Sequence, residues 1–230
     1  KFCGDGSCLT NLPGGGGSGG CLKLDADINL YADGVCSGCN FDGTNACHNV
    51  VIGACAGKNT ISGADNVFLG VNAGVGNTTA SGNVYIGKNA GQQTFGGEYS
   101  DGGCNIAIGV EAGCGLNQTN KSAAEHNINI GYRAGRSYAN SASAGDGNVF
   151  MGCYAGNVSS GKCNIGIGNK AGASSGGECN VFIGQCAGTG TWGNINVAMG
   201  WHSGKSLAGV CKNTFLGFCA GSTATGSNNT

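Results

Sequence analysis

The sequence predicts an all-β fold: a parallel β-solenoid or β-roll of ten 16–22-residue repeats, bundled with identical chains. Three observations carry that expectation. A nine-residue signature, Asn-apolar-x-apolar-Gly-x-x-Ala-Gly, recurs down most of the chain. Glycine makes up 49 of 230 residues, about three times the usual share, without the Gly-X-Y period of collagen. The apolar residues of the signature alternate with a period of two, as on a half-buried strand.

Residues 1–47 read as a separate lead-in. They comprise a glycine-rich linker, an acidic strand-like stretch LDADINLYAD (Leu24 to Asp33) and a cysteine-rich segment with the only Cys-x-x-Cys, Cys36 to Cys39. The repeat domain spans 48–230. Its signatures open at Asn49, Asn66, Asn83, Asn105, Asn127, Asn148, Asn164, Asn180, Asn196 and Asn213. Successive spacings are 17, 17, 22, 22, 21, 16, 16, 16 and 17. Each signature has Gly four and eight residues after its Asn, and nine of ten have Ala at the seventh position, Ser203 being the exception. Below, positions are counted from that Asn.

The first and third positions are apolar and mostly β-branched, from Val50/Ile52 to Val197/Met199, with Thr214 the one polar member. They are expected to face the core. The Gly at position four then ends the strand, because glycine takes backbone conformations other residues avoid. A unit this short cannot bury enough apolar surface to offset its ordering entropy. Neighbours must supply the rest, so the repeats stack as rungs with strands about 4.8 Å apart. Ten identical Asn then read as a ladder of side-chain amides, a structural device and not a catalytic one. The second position points the other way and is aromatic in five of ten rungs: Phe68, Tyr85, Phe150, Phe182 and Phe215. Two coverings are open for it: identical chains in a bundle, which is favoured, or the far half of the same coil.

The three long spacings hold insertions after Gly91, Gly113 and Gly135: QQTFGGEYSDGGC, CGLNQTNKSAAEH and RSYANSASAGDG. Consecutive insertions in a solenoid emerge as neighbouring loops on one face. Glu98, Tyr99, Arg136 and Tyr138 are the candidate ligand contacts there, suited to a surface glycan; the bland alternative is tolerated surface loop.

Other chemistry is sparse. The net charge of −1 gives no electrostatic footprint for nucleic acid or an anionic membrane. No apolar run reaches the roughly 18–20 residues of a membrane span. Cys36 and Cys39 are weak metal candidates, since zinc needs two more ligands, for which Cys47 and Cys55 are at hand. No cofactor is implied: there is no HExxH, no nucleophile elbow and no phosphate loop. The fifteen cysteines are an odd count, and most fall in repeat columns. Cys163 and Cys179 precede adjacent Asn residues, a spacing within disulfide range. Asn-x-Ser/Thr occurs at Asn77, Asn117, Asn120, Asn157 and Asn228. An ice-binding face would need a Thr column, and the Thr here is scattered. The chain opens on Lys1 and stops at Asn229-Thr230 as another repeat begins, so it reads as a segment of something longer.

The stretches NVYIGKNAG, NIAIGVEAG and NVAMGWHSG resemble the head repeats of trimeric autotransporter adhesins, which form left-handed parallel β-rolls in three-chain bundles; the period here is longer and the Ala-Gly pair differs. KFCGDGSCLTNLPGGG (Lys1 to Gly16) is similar to the Phe-x-Gly-Asp-Gly-Ser-Gly-Leu-Thr-Asn-Leu element of phage fibre and virion structural proteins. In marine cyanophage-type members this precedes an acidic strand, a Cys-x-Gly-Cys-Asn element and Asn-Phe-x-Gly…Ala-Gly repeats, here Leu24 to Asp33, CSGCN (Cys36 to Asn40) and the ten signatures. The resemblance implies an elongated fibre component of a virion, most readily a trimer, with no enzymatic activity. The alternative is a subunit of a microbial surface filament that polymerises head to tail.

Overall fold

The computed structural model describes residues 22–24, 30–32, 36–42, 45–94, 103–116, 125–136, 145–207 and 209–229. Among them are fourteen short strands and no helix. They are β1 (Leu22–Leu24), β2 (Leu30–Ala32), β3 (Val50–Ile52), β4 (Val67–Leu69), β5 (Val84–Ile86), β6 (Gln93–Thr94), β7 (Ile106–Ile108), β8 (Gly115–Leu116), β9 (Ile128–Ile130), β10 (Val149–Met151), β11 (Ile165–Ile167), β12 (Val181–Ile183), β13 (Val197–Met199) and β14 (Thr214–Leu216). One strand per signature stacks in chain order into a single parallel sheet. The register is that of the repeat: Val149 pairs Ile165, Ile165 pairs Val181 and Val181 pairs Val197. The fold is the predicted parallel β-solenoid.

The stack begins one rung earlier than the signature suggests. β2 pairs parallel with β3, Leu30 opposite Val50, and β1 folds back antiparallel on β2. The Leu30 N–H donates to the Asn49 carbonyl as the Val50 N–H does to Asn66. The stretch Asn-Leu-Tyr-Ala carries the pattern, but Asp33 stands where the signature has Gly.

The Asn ladder runs the length of the coil. The Oδ1 of each Asn accepts the backbone N–H of the Asn one rung on, at 2.8–3.1 Å from Asn49 to Asn229. In several rungs it also accepts the next side-chain amide, as from Asn148 to Asn127 at 3.1 Å. All ten signature Asn are buried. The ladder thus satisfies, inside the coil, the backbone donors that enter each strand.

That inward Asn fixes which strand positions face in, and here the structure corrects the sequence reading. Side chains alternate along a strand, so the second position shares the interior with the Asn. Val51, Phe68, Tyr85, Ala107, Phe150, Phe182 and Ala198 are all buried within the single chain. The first and third positions, expected to be the core, face outward and are half-buried or exposed, Ile130 among them. The covering of the aromatic column is therefore the coil itself, and other chains are not required for it.

Glycine explains how rings fit. The Gly at position eight lies flat against the ring of the second position. A β-carbon on Gly74 would stand 2.6 Å from the Phe68 ring, and the same contact recurs between Gly91 and Tyr85, Gly156 and Phe150, and Gly188 and Phe182. The buried Ala column, from Ala56 to Ala187, lines the same space. Large and small side chains alternate up the second position: Phe150, Gly166, Phe182, Ala198, Phe215. Phe68 and Tyr85, on adjacent rungs, stack at 5.4 Å. The exceptional Ser203 is buried and its hydroxyl donates to the Phe215 and Ala220 carbonyls.

Two corners of the rung are left-handed and mostly held by non-glycine residues, Gly82 and Gly147 being the exceptions. One is the residue before the Asn, including His48, Cys104, Cys163, Cys179, Ile195 and Lys212; the other is position six, including Cys55, Glu111, Arg133, Lys170 and Cys219. Non-glycine residues sit there at a cost of about 1–2 kcal/mol each. Lys170 is exposed, with φ +57°. Lys170→Gly is expected to raise stability by about 0.5–1 kcal/mol, read as a shift of the urea midpoint; a loss would show that its side chain contributes more than its backbone costs.

Candidate functional site

The sheet's outward face is the most extended functional feature. Its two columns, the first and third positions of ten rungs, hold nineteen apolar residues, Thr214 and no charge. In the single chain Leu69, Met151, Ile167 and Met199 are exposed by more than a third. Position five continues the apolar character along one margin through Val71, Val110, Tyr132 and Trp201. Trp201 stacks on Phe218 at 4.6 Å and on His202 at 3.7 Å. Ten rungs extend this face over roughly 50 Å, larger than the scattered apolar residues of ordinary surfaces.

A second feature lies at the feet of the insertions. β6 and β8 pair in parallel, Gln93 opposite Gly115, so the first two loops leave the coil one above the other. Beside them Glu111, Arg133 and Tyr154 occupy position six of three successive rungs. The Arg133 Nε donates to Glu111 Oε2 at 2.8 Å and its Nη1 to the Tyr154 hydroxyl at 3.0 Å. The guanidinium lies 4.9 Å from the Tyr132 ring centre and 5.6 Å from that of Tyr154. The two rings meet edge to face at 5.3 Å, and a hydrogen bond with Tyr154 holds the Tyr132 phenol above its usual range. Glu98, Tyr99 and Tyr138 lie outside the described residues. Arg136 departs from its expected place in an exposed loop. It is buried, its Nη1 2.9 Å from Glu111 Oε2, drawn inward by the same carboxylate that binds Arg133. Burial also pushes the thiol of its neighbour Cys114 up. Arg136 thus joins Arg133 on one carboxylate.

Cys36 and Cys39 are exposed at a turn, and partial desolvation together with the hydrogen bond that the Cys39 thiol donates to Cys36 holds the Cys39 thiol above its usual range. Among the described residues no group of three His, Cys, Asp or Glu is placed to hold a metal ion. Cys163 and Cys179 are free, exposed and at equivalent left-handed corners of adjacent rungs. Asn77 and Asn157, both in Asn-x-Ser/Thr, are buried, which closes them to modification in the folded chain. Among the described residues no helix is long and apolar enough to cross a membrane.

No family model, curated protein or solved structure matches the chain.

Proposed function

We propose that the chain is a structural fibre component, a shaft segment whose copies bundle through the outward sheet face. One observation carries this reading: an uncharged apolar face two columns wide, running past ten rungs and left partly exposed by a single chain. The best-matched occupant is another copy. Its side chains repeat at the same spacing, so ridges on one face meet grooves on the other along the whole rod, whereas a globular partner matches only a few rungs. Three chains around an axis is the favoured number, on the resemblance to trimeric fibres. That resemblance also points to a phage tail or virion fibre, with the insertions as contacts for a host-surface glycan. The reading assigns the chain no catalytic step and no cofactor.

The paired substitution Met151→Asp and Met199→Asp, three rungs apart, tests it. Both side chains are already more than a third exposed, so each change is expected to cost the single-chain fold no more than about 1 kcal/mol. In a bundle each buries an unpaired carboxylate, a penalty of several kcal/mol. Circular dichroism should therefore be unchanged while light scattering reports loss of assembly. Retention of assembly would refute the face. Negative-stain images of the unaltered protein should show discrete rods; filaments without limit would support head-to-tail polymerisation instead.

A further inference from the structure

Three rungs carry a cysteine at both margins of the outward face. On the Asn180 rung Cys179 lies just before the strand and Cys186 at position six; on the Asn213 rung the pair is Cys211 and Cys219; on the Asn49 rung it is Cys47 and Cys55. All six are free, and each is exposed or half-buried. No cysteine occurs in the two columns of the face itself. Neither partner can reach the other within its rung: the strand Val181–Ile183 alone spans about 10 Å, and bridged Cα atoms lie within about 7 Å. Stacking within the chain places Cys163 beside Cys179 but supplies no cysteine to Cys186 or Cys211. The rungs above and below place His202 and Lys170 beside Cys186, and Asn194 and Ser227 beside Cys211.

We propose that these margins are covalent staples between neighbouring chains. The inference rests on the bundle proposed above. In a ring of parallel, in-register chains with their sheet faces turned to the axis, one margin of each chain adjoins the opposite margin of the next at the same level. Cys179 then faces Cys186 of the neighbouring chain, and Cys211 and Cys47 face Cys219 and Cys55 of the neighbouring chain. An antiparallel arrangement brings different rungs level and loses the match. The oxidant is a small-molecule disulfide of the glutathione class. A Cys179 thiolate attacks one of its sulfurs, expelling one small thiol; the Cys186 thiolate of the neighbouring chain then displaces the second. One S–S bond forms and one breaks, and the protons of the two cysteines end on the two released thiols.

Isotope mixing tests the proposal. Equal amounts of unlabelled and ¹⁵N-labelled full-length chains are unfolded, refolded together and equilibrated with oxidised and reduced glutathione. Chymotryptic cleavage after Phe182 separates Cys179 from Cys186, and mass spectrometry reads the linked peptides. About half of the Cys179–Cys186 links should join a light to a heavy peptide, as random pairing between chains requires. Cys179→Ser should abolish that link and leave the native mass in reductant unchanged. Links only between like-labelled peptides, links from Cys179 to Cys163, or no link at all would overturn the staples. Light scattering in reductant separates the two ideas: assemblies without mixed links sink the staples alone, and single chains throughout sink the bundle with them.

Discussion

Gly131→Val should be among the most damaging single changes in the chain, lowering stability by about 2–6 kcal/mol. Gly131 occupies position four, with φ +131°, a region closed to other residues by sterics. A β-carbon there would stand 2.6 Å from the carbonyl oxygen of Gly152 in the next rung and 2.8 Å from its carbonyl carbon. Both obstructing atoms are backbone, so relief requires the rungs to part, and rung stacking is the whole fold. The same geometry recurs from Gly53 to Gly200. Gly217 is the control: it also occupies position four, its φ is +127°, and a β-carbon there meets nothing within 4 Å. Gly217→Val should cost only its backbone strain, about 1–3 kcal/mol. Urea melts of the two variants compare them directly, and equal losses would mean that backbone conformation alone, with no contribution from stacking, selects glycine.

Phe182→Ala should cost about 3–5 kcal/mol. The ring is 1% exposed and rests among Ala171, Ala187 and Ala198, against Gly172 and Gly188. These neighbours are too small to collapse into the space a lost ring leaves, so most of the cavity should persist. Its strand neighbours Val181 and Ile183 are only half-buried. In the dissociated chain Ile183→Val should cost well under the 0.5–1.5 kcal/mol typical of a fully buried site. The ranking matters more than either value. Had the first and third positions formed the core, as their β-branched composition suggests, the outer changes would dominate. A melt in which Ile183→Val outweighs Phe182→Ala would invert the assignment of faces.

Much of the fold is legible in the sequence because the rungs repeat. Asn and Gly recur at fixed offsets, and one short apolar run per repeat admits only a stacked coil. The facing of that run was legible too, through a different residue. An Asn that bonds the next rung from inside fixes the parity of the strand, and Val and Ile must then point out. Composition argued the opposite, because β-branched residues are common in cores. The hydrophobic columns here cover an outer face that a single chain leaves partly open. The first rung was obscured by one residue, Asp33 in the place of glycine. The left-handed corners carry no compositional mark, since His48, Ile195 and Lys212 share one column. The ion pair of Arg133 with Glu111 spans 22 residues; it becomes predictable only once the long rungs are aligned at position six. Arg136 reads as loop because the chain beyond it is polar, and only the half-buried carboxylate of Glu111 explains its inward turn.

In the proposed bundle the outward face meets copies of itself. The native mass of the unmodified chain in reductant, by light scattering at micromolar concentration, tests it most directly. The bundle requires a multiple of the 22.5 kDa chain greater than one, three being the expected factor. A mass of one chain, unchanged as concentration rises, would contradict it.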